Sequence, residues 1–193
     1  LYLRDDDIPQ CVADGVSDIG IVGLNEIEEQ KKSVEIIKHL GFSKCRLSLA
    51  IPKDIEYIEN QWFEGKKIAT SYPRILQSYL DEHGIKADIH FIAGSVEIAP
   101  GIGLADAIFD IVSSGSTLVS NRLKEVEVVM KSEAVLVATP SLNKEKQAII
   151  DELIFRIEAV EKGKGKKYIM LNAPDSKLEQ ITKVLPGFTS PTI

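Results

Sequence analysis

Short apolar runs, many closed by a glycine or a proline, alternate with amphipathic stretches along this sequence. That alternation restricts the chain to the α/β class. "DIGIVG" (18–23) is apolar throughout and closed by glycine, as expected of a buried parallel strand. "CRLSLAIP" (45–52) and "SEAVLVATP" (132–140) each stop at a proline and bracket a self-contained α/β stretch. Within it, "KKIATSYP" (66–73), "ADIHFIAG" (87–94), "DAIFDIV" (106–112) and "EVEVVM" (125–130) read as strands. "RILQSYLDEHG" (74–84) reads as a helix with Ile75, Leu76, Tyr79 and Leu80 on one face. "SVEIAPGIGLA" starts a short helix that breaks at Pro100-Gly101, and "SVEIIKHLG" is mixed. "LYLR" (1–4) is expected as a strand leading to a helix that begins near Pro9 and ends at Gly15. "EKQAIIDELIFRIEAVEKG" (145–163) is a long helix, apolar at Ile149, Ile150, Leu153, Ile154, Ile157 and Val160.

Charge and cysteine usage remove several functions. A net charge of −6 argues against sequence-independent nucleic-acid binding, and no apolar run reaches transmembrane length, so no membrane partner is expected. Cys11 and Cys45 cannot build a disulfide framework and fit a reducing, cytoplasmic setting as buried thiols. His39, His83 and His90 are scattered and show no metal-ligand spacing.

The stretch "DIVSSGSTL" (110–118) places hydroxyls and a glycine between a strand and a helix start. Unpaired amides and the helix dipole attract anions at such a place. Gly115 permits positive φ and close approach of a phosphate, and Ser113, Ser114, Ser116 and Thr117 add donors. An ordinary capped turn accounts for the same residues, and from pattern alone both stay open. The loop is not a Walker A motif, because no lysine follows its glycine, and "GIGLAD" is not a dinucleotide fingerprint. Asp110 and Glu97 suit ribose hydroxyls or simple capping. Ser71 and Tyr72 stand at a strand end where open α/β sheets bind ligands, or in a plain Tyr-Pro turn. "RDDDIP" (4–9) is an acidic helix entry in which Arg4 could face a phosphate.

Composition shifts at "EKGKGKK" (161–167), a basic linker that marks a boundary. Beyond it "KYIMLNAP" reads as a strand and "DSKLEQITKVLPG" as a helix, with Ser176 and Glu179 at capping-box spacing. The sequence opens on "LYL" without methionine and closes on "SPTI"; both ends are expected to be cut from a longer protein.

"RDDDIP", "DGVSDIGIVG", "CRLSLA", "GKKIATSYP", "GSVEIAPGIGLADAI", "DIVSSGSTL", "EVEVV" and "KYIMLNAPDSKLEQITKVLPGFTSPTI" occur in this order. Together they closely resemble the ATP phosphoribosyltransferases of histidine biosynthesis, in the long form with a C-terminal regulatory domain. The resemblance implies a two-lobed α/β fold like that of type II periplasmic binding proteins, crossed at "RLSLAIP" and "AVLVATP", plus the start of an α+β ACT-like domain. Residues 1–48 and 133–162 would form one lobe, 49–132 the other, and 167–193 the start of the regulatory domain. It also implies transfer of phosphoribosyl from phosphoribosyl pyrophosphate (PRPP) to the adenine ring of ATP. Mg²⁺ would be bound mainly through the pyrophosphate, and no protein nucleophile or protein metal ligand is assigned. Asp110, Ser113, Ser114, Gly115, Ser116, Thr117 and Glu97 would bind PRPP; Ser71, Tyr72, Arg4 and Asp6 would line the ATP side. Histidine feedback inhibition, a homo-oligomer (dimer or hexamer) and a cytoplasmic location are implied too. The sequence departs from the family at Leu24-Asn25, where long-form relatives often carry Glu-Asn, and it lacks the family's amino-terminal strand, its Lys-Gly-Arg-type segment near the active site and most of the regulatory domain. Two readings compete: a non-catalytic two-lobed module binding a solute or effector, and a purely regulatory subunit.

Overall fold

The computed structural model describes residues 1–167 and 170–184. Two compact units divide the chain, Leu1–Ala148 and Ile149–Ile193.

The first unit contains two sheets. The smaller one is built from β1 (Ile19–Gly23), β2 (Glu35–His39) and β8 (Ala134–Ala138), in the order β1-β8-β2. Helix α1 (Ile8–Ala13) packs on it with Pro9 at its first turn, and α2 (Leu24–Gln30) leaves β1 directly. Gly20 is where α1 seats: a Cβ there would stand 2.7 Å from Ile8 Cγ2 and 2.9 Å from Val12 Cγ2. Val12, Val22, Ile27, Val135 and Val137 form the core of this sheet.

The larger sheet comprises β3 (Cys45–Pro52), β4 (Lys67–Thr70), β5 (Asp88–Phe91), β6 (Ala107–Val112) and β7 (Leu123–Ser132), ordered β5-β4-β6-β3-β7. The β4 pairings are parallel and those of β3 antiparallel. Alternation assigns the two faces. Leu47, Leu49, Ile51 and Phe109 enter a core with Phe63 and with Leu76 and Leu80 of α3 (Pro73–Glu82). Ala50, Ile108 and Val112 enter another with Val96, Ala99 and Leu118, the last from α4 (Ser116–Ser120). The chain changes sheet twice, over residues 40–44 and at Glu133. The two passages run side by side, with Leu40 N bonded to Ala134 O and Ala134 N to Phe42 O.

Several expectations change. "LYLR" forms no strand: Leu1 and Tyr2 are fully exposed and pair with nothing among the described residues, so their β-propensity has no ladder to act in. "DIGIVG" is antiparallel rather than parallel, and as an edge strand it leaves Ile21 52% exposed. The short helix expected at "SVEIAP" is a 3-10 turn, Val96–Ile98.

Helix α5 (Lys144–Gly163), most of which falls in the second unit, carries i,i+4 ion pairs such as Glu152–Arg156. Of its expected apolar stripe only Ile150 is buried, while Ile149 and Val160 stay exposed. Residues 168 and 169 of the strand expected at "KYIMLNAP" lie outside the described residues, and 170–174 carry no strand. Ser176 falls inside a 3-10 turn (Asp175–Lys177) ahead of α6 (Leu178–Val184), so it does not cap that helix. Residues 185–193 lie outside the description.

Candidate active site

Strand β6 carries the hydroxyl-rich loop to its place. Its alternation puts Asp110 on the face shared with Ile108 and Val112, half-buried, with Oδ1 accepting from Ile111 N at 2.8 Å. Burial pushes this carboxyl above its usual range; the nearby negative charge of Glu97 adds to the rise, and the Ile111 amide opposes it. After Val112 the chain turns through Ser113 and Ser114 to Gly115, whose φ of +80° starts α4. A Cβ at Gly115 would meet nothing nearer than 3.9 Å, so the backbone angle, and not space, requires glycine there. The amides of Ser114, Gly115 and Thr117 donate to no backbone carbonyl among the described residues, as at any helix start. Ser114 and Ser116 share a hydroxyl hydrogen bond of 3.0 Å and stay exposed, as does Thr117. The loop is held from below by Arg46 of β3, whose Nη1 donates to Ser113 O at 3.1 Å. Arg46 itself is fixed by both carboxylate oxygens of Glu125.

Tyr72 comes within electrostatic reach of Asp110 from the start of α3, where Pro73 occupies the first turn. Burial pushes its phenol well above the ordinary range, and the charges of Glu26 and Asp110 push it further. Its Oη accepts from Asn25 Nδ2 at 3.3 Å. Ser71, next to it, donates its hydroxyl to Ile92 O at 2.6 Å, so it pins the end of β4 to the chain after β5. Glu97 sits in the 3-10 turn, half-buried and within electrostatic reach of Asp110. Arg4 and Asp6 pair with each other at 3.2 Å on the exposed entry to α1. Asp6 still belongs to the neighbourhood, because its charge and that of Asp5 act on Glu26, and its carbonyl accepts from Gln30 Nε2 at 2.7 Å.

The structure therefore brings Asp110, Glu97 and Tyr72 together, with the loop 113–117 following Asp110 directly. It leaves Arg4 at the rim and engages Ser71 elsewhere. Sequence reasoning missed much of the opposite wall. Asn25 is buried at the start of α2; its amide donates to Ser132 Oγ (3.1 Å), and its Oδ1 accepts from that hydroxyl (2.8 Å). A Cβ on Gly23 would collide with Asn25 Oδ1, so glycine before this helix makes room for it. Glu26 accepts from Asn25 Nδ2 at 3.0 Å, and burial raises its carboxyl above the usual value. Glu29 accepts from the amides of Arg74 and Ile75, both at 3.0 Å, while Arg74 Nη1 donates to Gln30 O at 3.0 Å. The only sequence signal on that wall was the Leu24-Asn25 departure from the family pattern.

This neighbourhood, the candidate crevice, thus joins a glycine-bearing turn with free amides to half-buried carboxylates and a half-buried phenol. Such a site can hold a phosphorylated sugar with its hydroxyls toward the acids. Among the described residues no three His, Cys, Asp or Glu side chains converge as a metal cage.

Known proteins resemble the chain along its length. The family model described as ATP phosphoribosyltransferase matches residues 4–159, and that described as the HisG C-terminal domain matches 163–193. An ATP phosphoribosyltransferase from Parabacteroides distasonis is 69% identical over 193 residues, which is all of this chain and 68% of that protein. One from Bacteroides fragilis is 66% identical over the same spans. Among solved structures, the ATP phosphoribosyl transferase (HisG:HisZ) complex from Thermotoga maritima superposes with a TM-score of 0.73 at 29% identity, covering 83% of this chain and 78% of that one. The substrate-binding protein of an amino acid ABC transporter gives 0.60 at 15% identity over 83% and 74%, a likeness of fold alone. The chain has a type II periplasmic-binding-protein-like fold, and it belongs to the ATP phosphoribosyltransferase family.

Proposed function

We propose that the loop 113–117 grips the 5′-phosphate of PRPP while Asp110 and Glu97 face its ribose hydroxyls. The chain is a pentosyltransferase of the first step of histidine biosynthesis, moving phosphoribosyl from PRPP to the adenine ring of ATP. The observation that carries the site assignment is the conjunction at the end of β6: Gly115 at positive φ, amides without carbonyl partners, and Asp110 half-buried beside them. In the transfer, the bond from ribose C1 to pyrophosphate breaks, pyrophosphate leaves with the electron pair, and a ring nitrogen of adenine bonds to C1. The ribose ring gains positive charge on the way, and the Asp110 and Glu97 carboxylates offset it from fixed positions. Tyr72, with Arg4 and Asp6 at the rim and Ser71 behind, lines the nucleotide side.

The crevice is acidic at Glu26, Glu97 and Asp110, so a bare pyrophosphate would be repelled. Mg²⁺ bound with the pyrophosphate would relieve that repulsion and stabilise the leaving group. Asp110 and Glu97 are the carboxylates that would face such an ion, through water rather than as assigned ligands. We further assign histidine inhibition to the domain that begins near Lys167. The protein works as a homo-oligomer, dimer or hexamer, in the cytoplasm. We keep residues 1–48 with 133–162, and 49–132, as the two catalytic lobes. No helix among the described residues is long and apolar enough to cross a membrane.

Thr117→Val tests the loop, because it removes an exposed hydroxyl and keeps the shape. A hydrogen bond to a charged group is worth about 1.5–3 kcal/mol, so PRPP affinity falls on the order of tenfold or more, with little change in melting temperature or in ATP binding. Unchanged PRPP affinity would reduce the loop to a capped turn.

A further inference from the structure

We propose a second anion site, in the pocket between α4 and the β3–β7 edge of the larger sheet, that takes a small phosphate-bearing ligand. The pocket has a volume of about 570 Å³, within the range of small-molecule sites, roughly 300–1,000 Å³. Leu118 and Leu123 are among its buried apolar lining. Lys53, Arg122 and Lys124 line it as well, and none of the three has a carboxylate partner among the described residues. The lining acids are Glu125, already held by Arg46 and Ser48, and Asp54. The pocket is therefore locally cationic on a chain whose net charge is −6. Unpaired cations gathered around a concavity concentrate field there and favour a ligand with more than one negative charge.

The cations are positioned by the backbone. Lys53 N donates to Arg122 O at 2.8 Å, tying the end of β3 to the residue before β7. Arg122 takes a φ of +55°, which costs a side-chain-bearing residue energy and persists only where the surroundings enforce it. The site differs from the crevice: Asp110, Glu97 and Tyr72 do not line it. It shares Ser114 and Gly115 with the loop. Arg46 links the two, because it lines the pocket while donating to Ser113 O. An anion in the pocket competes with Glu125 for Arg46 and thereby acts on the loop. That coupling rests on the loop's role in holding PRPP; the pocket itself does not.

Titration of the protein with inorganic pyrophosphate, with and without saturating PRPP, separates the two sites. Pyrophosphate binding that survives PRPP is expected. Lys53→Glu combined with Lys124→Glu should weaken it at least tenfold while PRPP affinity stays within twofold. Lys53→Gln with Lys124→Gln, which removes charge without reversing it, should give a smaller loss, and thermal melting checks that both variants fold. Absence of PRPP-resistant binding, or equal binding in the lysine variants and the parent, overturns the proposal. So does loss of all pyrophosphate binding in Thr117→Val, an outcome that leaves the loop's role intact. Failure of PRPP itself to bind would sink the loop assignment and still leave the pocket readable through the lysine variants.

Discussion

Replacing Glu29 with alanine asks whether the contact between α2 and α3 governs substrate affinity. Glu29 leaves the smaller sheet on α2 and accepts from the first free amides of α3, on the larger one, at Arg74 N and Ile75 N. Arg74 answers with its guanidinium on Gln30 O. Glu29 is half-buried, so each of its two bonds belongs nearer a helix-capping value of about 1 kcal/mol than the top of the range for charged groups. Losing both costs about 2 kcal/mol, roughly thirtyfold in an equilibrium between joined and separated arrangements. Tyr72 immediately precedes α3, and Asn25 and Glu26 begin α2, so the same contact brings the crevice walls together. Glu29→Ala should raise KM for PRPP and ATP by an order of magnitude with a smaller change in kcat, and small-angle scattering should report a larger radius of gyration without substrates. Glu29→Gln keeps one acceptor and should fall between. If Glu29→Ala lowers the melting temperature while KM stays within twofold, Glu29 is a helix cap and nothing more.

Two further outcomes are expected. Asp110 has a folded pKa raised by burial and by Glu97, so its ionisation destabilises the fold; that contribution is absent at low pH and grows as pH rises from the ordinary carboxylate value through the raised one. Asp110→Asn should therefore melt higher than the parent at neutral pH, lose that advantage in acid, and lose activity throughout; equal destabilisation at both pH values would contradict this. Gly20→Val should lose about 1–3 kcal/mol by overpacking, because its side chain enters the space of Ile8 and Val12, and denaturant unfolding with an unchanged midpoint would mean α1 is not seated as described.

Strand identity was legible wherever the pattern was dominated by burial. "CRLSLAIP" and "AVLVA" are buried almost throughout, and their apolar composition says so without a partner being known. Direction and pairing were less accessible. "DIGIVG" has the composition of an internal parallel strand, yet it lies antiparallel at an edge, because composition does not encode which strand comes alongside. In the site, Asp110, Gly115 and Tyr72 were visible because each stands at a strand end or helix start, a local feature. Asn25–Ser132, Arg46–Glu125 and Glu29 at α3 were not, since each joins residues far apart in sequence whose individual neighbourhoods look like ordinary surface. The apolar stripe of α5 shows the opposite limit: periodicity marks a face without saying what covers it.

The order of the smaller sheet also sets a timetable for synthesis. Its first two strands, β1 and β2, do not pair with each other; both pair with β8, which lies between them. When translation has passed β2, neither strand has a partner, and none arrives until Ala134–Ala138 leaves the ribosome. All five strands of the larger sheet precede β8 in sequence, so that sheet can close first. At about 5–20 residues per second, the interval from β2 to β8 lasts on the order of five to twenty seconds. For that time the nascent chain carries two strands whose partner has not yet been made, while the strands of the larger sheet are themselves still emerging, which is when a holding chaperone has something to hold.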